Sequence, residues 1–125
     1  MKGLGACLVQ EGKPIAFASK TLTKTQSNYS NIEREMLAVV YGIERFTSYL
    51  YGRFFTVVSD HKPLEMISRK PIIAAPPRLQ RMWLKIQGYD YAVTYRTYHA
   101  VTYQENRWLS GIPYPGCLTL GILEM

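Results

Sequence analysis

The alternation of apolar and polar residues predicts two strands followed by a long helix. Residues 3–10 and 13–19 are short apolar segments separated by a glycine turn, which is typical of a β-hairpin. Ser30 and Glu33 have the spacing of a capping box, in which the hydroxyl accepts from a helical N–H and the carboxylate reaches back. Apolar residues recur at helical spacing after this box, so we predict a helix over 31–51.

The rest of the chain alternates between strand and helix patterns. Residues 54–59 and 89–95 have the β-branched and aromatic composition of strands. Short helices are predicted over 62–68 and 77–88, and residues 117–123 could form a final strand. The order hairpin, helix, strand, helix, strand predicts an α/β sheet domain.

Composition narrows the class of protein. The chain has 125 residues, enough for one domain, and 47% of them are hydrophobic, enough for a core. Cys7 and Cys117 lie far apart, which fits a reducing compartment. No apolar stretch approaches the roughly 20 residues of a membrane helix, and the first residues are too β-like for a signal peptide. We expect an intracellular protein, cytoplasmic or nuclear, with no membrane partner.

The net charge of +6 favours a polyanionic partner such as nucleic acid, and most of it lies between residues 61 and 96. Three bases lie on one exposed face of the predicted helix 77–88 and two lie just before it: Arg78, Arg81 and Lys85, then Arg69 and Lys70. These side chains could follow the phosphates of a nucleic acid, or they could form an ordinary solvated helix face.

Two carboxylates have the placement of a metal site. Asp60 ends a buried strand, and Glu35 lies in the second turn of the long helix, next to an inward-facing residue. Such a pair could hold Mg²⁺, which prefers oxygen ligands. The alternative is that Glu35 is exposed and pairs along its helix while Asp60 caps the helix that follows.

Four motifs in order carry a resemblance to a known family. They are G-L-G-A, I-E-x-E-x-L-A-V-V, S-D-H-K-P-L and P-P-R-L-Q-R, and the match that includes them covers residues 3–96. This region resembles the RNase H domain of gypsy-type LTR-retrotransposon reverse transcriptases.

The resemblance implies a fold, a reaction and a site. The fold is a mixed sheet flanked by helices, and the reaction is hydrolysis of the RNA strand of an RNA–DNA hybrid with two Mg²⁺ ions, or Mn²⁺, held by four carboxylates. Glu35 and Asp60 match two of those carboxylates and would be catalytic metal ligands. His61 could assist proton transfer or product release, although orienting the loop is the favoured role. The partners would be the hybrid and the polymerase domain of the parent polyprotein.

The sequence departs from the family at the other two carboxylates. The family's first aspartate lies on the central strand of the sheet, in a segment upstream of G-L-G-A that this sequence lacks. Arg107 aligns with the fourth aspartate, and Glu105 is the only acid nearby that could replace it. With two carboxylates in place of four, we expect little or no nuclease activity. The alternatives are a non-catalytic nucleic-acid-binding module and a decayed structural remnant.

The C-terminal segment is open to two interpretations. We divide the chain into a partial RNase H-like domain over 1–96, without the central strand, and a divergent tail over 97–125. Residues 117–123 could fill the gap that the absent strand leaves in the sheet. The favoured interpretation is a tail without that role, whose removal would leave the stability unchanged.

Overall fold

Five strands form one mixed sheet in the computed structural model, which describes residues 3–96 and 118–125. The strands are β1 (Gly3–Gln10), β2 (Lys13–Thr21), β3 (Phe54–Ser59), β4 (Asp90–Tyr95) and β5 (Leu118–Glu124). Their order across the sheet is β2-β1-β5-β3-β4. The predicted hairpin corresponds to the antiparallel pair β1–β2, and its turn places Gly12 at φ +74°, in the left-handed region that glycine tolerates.

The helices connect the strands and pack on the sheet. They are α1 (Lys24–Ser27), α2 (Asn31–Arg45), α3 (Thr47–Leu50), α4 (Lys62–Ser68) and α5 (Pro77–Leu84), with a 3₁₀ turn at Ile72–Ala74. The predicted α/β class, a mixed sheet flanked by helices, is confirmed. None of these described helices is long and apolar enough to cross a membrane.

The helix predicted over 31–51 is interrupted near its end. Phe46 has φ −107°, and the hydroxyl of Thr47, the first residue of α3, donates to the Ile43 carbonyl at 3.0 Å. Side-chain hydroxyls that bond to the helix backbone compete with its regular pattern, which explains the break. Between β2 and α2 lies α1, with a second capping box between Thr23 and Gln26.

The C-terminal strand β5 lies in the centre of the sheet. It pairs in parallel with β1, from Gly3–Leu118 to Val9–Glu124, and antiparallel with β3, where Val58 faces Ile122. The sheet is therefore continuous, and the gap expected between the hairpin and β3 is closed. The interpretation of this segment as a tail without a role in the sheet is wrong for residues 118–124.

Alternate residues of the strands supply two apolar layers. The larger layer joins the sheet to α2, α4 and α5 and includes the following buried residues: Leu8, Val57 and Leu123 from the sheet, Met36, Val40 and Ile43 from α2, Leu64 from α4, and Leu79 and Trp83 from α5. A smaller cluster on the opposite face contains Cys7, Val9, Val58 and Ile122. The two neighbouring residues Ile122 and Leu123 thus contribute to opposite faces of the sheet, as expected for a strand.

The contact between α2 and β5 depends on glycine. A Cβ atom on Gly121 would lie 3.1 Å from the backbone carbonyl carbon and oxygen of Ala38. On the helix, a Cβ atom on Gly42 would lie 2.7 Å from the Cβ of Ala6. The two glycines let α2 approach β1 and β5 closely, and this approach positions the first turns of α2 over the sheet.

Candidate functional site

The helix α2 and the strand β3 bring Glu35 and Asp60 together. Asp60 directly follows β3 and is exposed, whereas Glu35 is half-buried in the second turn of α2. Burial raises the pKa of the Glu35 carboxyl to about 7, with a further contribution from the negative charge of Asp60 and an opposing one from Arg34. Glu35 is therefore not exposed, in contrast to the alternative given in the sequence analysis.

The structure also does not show the second part of that alternative, in which Asp60 caps the helix α4. The N-cap of α4 is His61, and no side chain makes the capping hydrogen bond. The His61 backbone N–H donates to Ser59 Oγ at 3.0 Å, and the His61 carbonyl accepts from the Leu64 N–H at 3.0 Å. These backbone bonds fix the loop that follows Asp60, and a chemical role for the His61 side chain stays a prediction.

A Mg²⁺ ion held by these two carboxylates stays a prediction. Mg²⁺ in proteins often takes one or two carboxylates and keeps several waters. Over residues 3–96 and 118–125, however, no three His, Cys, Asp or Glu side chains come together in a way that could hold a metal. Glu105 and Arg107 lie outside the described residues, so the predictions about the fourth carboxylate stay predictions.

Glu33 has the structural role that its position in the capping box predicts. Its carboxylate accepts from the Ser30 N–H at 2.8 Å, and its own N–H donates to Ser30 Oγ at 3.4 Å. The same carboxylate accepts from Arg78 Nη1 at 3.0 Å. The backbone hydrogen bond from Ser30 lowers the pKa of Glu33, and the Ser30 hydroxyl and Arg78 lower it further. Desolvation raises the pKa, but the net effect is a value below the usual one.

The ion pair between Glu33 and Arg78 places α5 beside the first turns of α2. The Arg78 guanidinium also lies over the Tyr29 ring, 4.3 Å from its centroid. Between the two helices is a groove of about 220 Å³, which we call the basic groove; it is lined by Gln26, Tyr29, Leu37, Arg78, Arg81, Met82 and Lys85. Three of the five predicted nucleic-acid-binding bases therefore share one surface.

The other two bases lie elsewhere. Arg69 lines a separate groove beside β4, and Lys70 lines a small cavity beneath it. The predicted set of five bases is thus divided between two surfaces.

Glu65 is a buried carboxylate for which the sequence suggested no role. It is 6% exposed, accepts from Lys62 Nζ at 2.8 Å and accepts from the Tyr95 N–H at 2.7 Å. These two bonds lower the pKa of its carboxyl. The spacing of Lys62 and Glu65 on one helix could have predicted their contact. The bond from Tyr95 to Glu65 joins residues 30 positions apart, so spacing could not have predicted it.

Known proteins resemble this chain in the region that carries the site. A family model for the RNase H-like domain found in reverse transcriptase matches residues 1–89. The Retrovirus-related Pol polyprotein from transposon 297 of Drosophila melanogaster is 40% identical over 92 residues, which are 74% of this chain and 8% of that protein. The corresponding polyprotein from transposon gypsy of the same organism is 44% identical over 63 residues, 50% of this chain and 6% of the polyprotein.

A fungal relative extends the comparison. The Transposon Tf2-3 polyprotein of Schizosaccharomyces pombe is 31% identical over 87 residues, 66% of this chain and 6% of that polyprotein. The chain thus spans less than a tenth of each of these relatives. No solved structure matches it. Because the family model covers most of the chain and includes both Glu35 and Asp60, the chain belongs to the RNase H-like domains of reverse transcriptases.

Proposed function

We propose that this chain is an RNase H-like domain that binds nucleic acid, with the RNA–DNA hybrid as its natural ligand, and that it cleaves the hybrid weakly or not at all. The observation that carries the proposal is the placement of Glu35 on α2 near Asp60 at the end of β3, where the charge of Asp60 contributes to the raised pKa of Glu35. The polymerase of a Pol polyprotein would be the partner of the domain in its parent protein.

The Glu35–Asp60 pair supports a single, weakly held Mg²⁺ ion. When bound there, Mg²⁺ would supply positive charge to stabilise a phosphate oxygen. The pKa of about 7 means that Glu35 is only partly ionised at neutral pH, and a protonated carboxyl is a poor metal ligand. Proton loss from Glu35 would therefore accompany metal binding.

The strand β5 supports the proposal of weak cleavage. It occupies the central position of the sheet, where the resemblance assigns the family a further aspartate, but the only acid in residues 118–125 is Glu124. Glu124 lies opposite Thr56, four residues before Asp60, and pairs with Arg96 at 3.0 Å. It is therefore too far along the strand to join Asp60 at a metal.

Cleavage is tested with a labelled RNA–DNA hybrid in Mg²⁺ or Mn²⁺. We expect no product above background from the wild type or from Asp60→Asn. Efficient cleavage by the wild type that Asp60→Asn abolishes would contradict the proposal. Calorimetric titration of Mn²⁺ into the same two proteins, in which we expect weak saturable binding by the wild type alone, tests the metal site separately.

The basic groove is the surface that we assign to nucleic-acid binding. Arg78 is already paired with Glu33, whereas Arg81 and Lys85 make no ion pair with any described residue. Their charges are available for phosphates, and the fixed position of Arg78 organises the wall of the groove. This placement favours a binding role over a merely solvated helix face.

Binding is measured by fluorescence anisotropy of a labelled hybrid over a series of salt concentrations. The double variant Arg81→Gln, Lys85→Gln should reduce the slope of log K against log salt by about 1 to 2, because each lost phosphate contact removes roughly 0.9. Lys13→Gln, Lys20→Gln removes the same charge from the exposed strand β2 and is the matched control. Equal slopes for the two double variants would contradict the assignment.

A further inference from the structure

The strand β4 has one edge without a strand partner in the described sheet. It pairs with β3 along one side and ends the strand order. The direction of its backbone groups is fixed by two bonds: Arg96 N–H donates to the Ser59 carbonyl in β3 at 2.9 Å, and Tyr95 N–H donates outward to Glu65 Oε2 at 2.7 Å. Because successive residues of a strand point to opposite sides, the N–H and carbonyl groups of Val93 and Tyr91 face the open edge.

A groove runs along this edge, and we call it the edge groove. Its volume is about 480 Å³, and it lies between the end of α4, at Ser68 and Arg69, and the strand residues 91–94. A smaller cavity of about 100 Å³ continues from it, sharing Ser68 and Tyr91 and lined further by Lys70, Ile72, Ala75 and Trp83. An extended backbone beside β4 could therefore place one apolar side chain in the smaller cavity.

The opposite edge of the sheet carries protective features that the described residues of β4 lack. The edge strand β2 contains Lys13, Pro14 and Lys20, and it has one extra residue opposite the step from Leu8 to Val9 of β1. Lysine, proline and bulges at an edge are the devices by which sheets avoid pairing with other chains. The sequence of β4, DYAVTY, has neither lysine nor proline.

The positive charge beside the edge groove indicates which kind of partner chain could bind there. The Arg69 side chain is 74% exposed, and its ion-pair partner among the described residues is Glu65 at 3.7 Å, which also pairs with Lys62 at 2.8 Å. Lys70 is exposed on the same side. A second copy of this chain would bring another Arg69 to the edge, so charge complementarity favours an acidic partner.

We propose that the edge groove binds an extended acidic segment of a partner protein as a sixth strand beside β4. Backbone bonds to Val93 and Tyr91 hold the segment, an apolar side chain enters the smaller cavity, and carboxylates pair with Arg69 and Lys70. This is strand addition, in which backbone bonds give affinity and alternate side chains give specificity. It is independent of the Glu35–Asp60 site and of the basic groove.

The test uses a labelled peptide of alternating valine and aspartate, with a valine–lysine peptide as control. Amide exchange followed by NMR should show fast exchange at Tyr91 and Val93 in the free chain and slow exchange when the acidic peptide is bound. The inward amides of Ala92 and Thr94 should exchange slowly in both states. The exposed substitution Arg69→Glu should weaken binding of the acidic peptide at least tenfold and strengthen binding of the lysine peptide.

Several outcomes would overturn the proposal. Slow exchange at Tyr91 and Val93 in the free chain would mean that the edge is already covered within the protein. Absence of peptide binding, or peptide binding that Arg69→Glu leaves unchanged, would rule out the addition of an acidic strand. An oligonucleotide that displaces the peptide without protecting the two amides would instead make the edge groove part of a nucleic-acid surface.

Discussion

The centre of the sheet and the carboxylate site lie next to each other, but only the first is complete in the described residues. At the centre, β5 bonds to strands on both sides and buries Leu123 and Ile122, which are 0% and 2% exposed. At the site, Glu35 and Asp60 stand without a third metal-ligating side chain within the described part of the chain.

The difference follows from what each region requires. A sheet centre needs backbone groups in register and apolar side chains of suitable volume, and many sequences meet those requirements. A metal site needs particular oxygen ligands at particular positions. An apolar strand can therefore complete the packing without supplying metal ligands, and substitutions can test the two separately.

Leu123→Ala should have the largest effect on the completed centre. Leu123 is fully buried between α2 and the sheet, so its truncation should lower the free energy of unfolding by about 3 kcal/mol, through lost burial and the cavity that remains. Chemical denaturation measures the change. Ile15→Ala, on β2 and 43% exposed, is the control and should cost about 0.5 kcal/mol or less. Similar losses for the two variants would show that β5 does not pack as described.

Gly121→Ala should have the next largest effect, because the new Cβ would meet the Ala38 backbone at 3.1 Å. Crowding a close backbone contact should cost about 1 to 3 kcal/mol. The matched control is Gly88→Ala, where no atom lies within 4 Å of the added Cβ and the backbone conformation suits any residue. A melting temperature lowered by both substitutions equally would contradict the close approach of α2 and β5.

Glu35→Gln should have the smallest effect, and the size of this effect should depend on pH. The folded-state pKa of about 7 lies above the usual value, so the folded protein favours the protonated carboxyl and loses stability as pH rises from about 4.5 through 7. In metal-free buffer the variant should be more stable than the wild type by about 1–2 kcal/mol at pH 8.5, allowing for partial exposure, and nearly equal at pH 4.

Glu44→Gln, at an exposed position of the same helix, is the control for this pH series. Thermal melting of the three proteins across the pH range gives the comparison. A Glu35→Gln variant that shows no pH-dependent gain would place Glu35 in solvent and would separate it from Asp60.

The parts of the fold set by local chemistry were predictable from the sequence. Ser30 and Glu33 form the predicted cap, and the apolar β-branched segment 54–59 is a buried strand. The break at Phe46 was not predictable from periodicity, because the apolar spacing continues through it. Spacing alone offered Glu35 and Asp60 as a pair but favoured an exposed Glu35 and a capping Asp60, and the resemblance shifted the prediction to the pair.

The remaining features depend on contacts between distant segments. Residues 118–124 have the composition of a strand, but composition does not specify which neighbours or direction a strand adopts. The bond from Arg78 to Glu33 joins residues 45 positions apart, and the bidentate contact of Arg96 with Glu124 joins residues 28 positions apart. Only the assembled sheet and helices bring these side chains together.

Hydrogen exchange of the C-terminal residues 118–125 in the unmodified protein tests the central claim most directly. Backbone bonds to both β1 and β3 should protect the β5 amides as strongly as those of β3, so that they exchange only when the whole sheet opens. Mass spectrometry of the C-terminal peptide, with the peptide that contains 54–59 as the internal standard, reports both rates. Equal protection is the result that this account predicts. Exchange of the C-terminal peptide at the rate of an unstructured chain, while 54–59 stays protected, would contradict it.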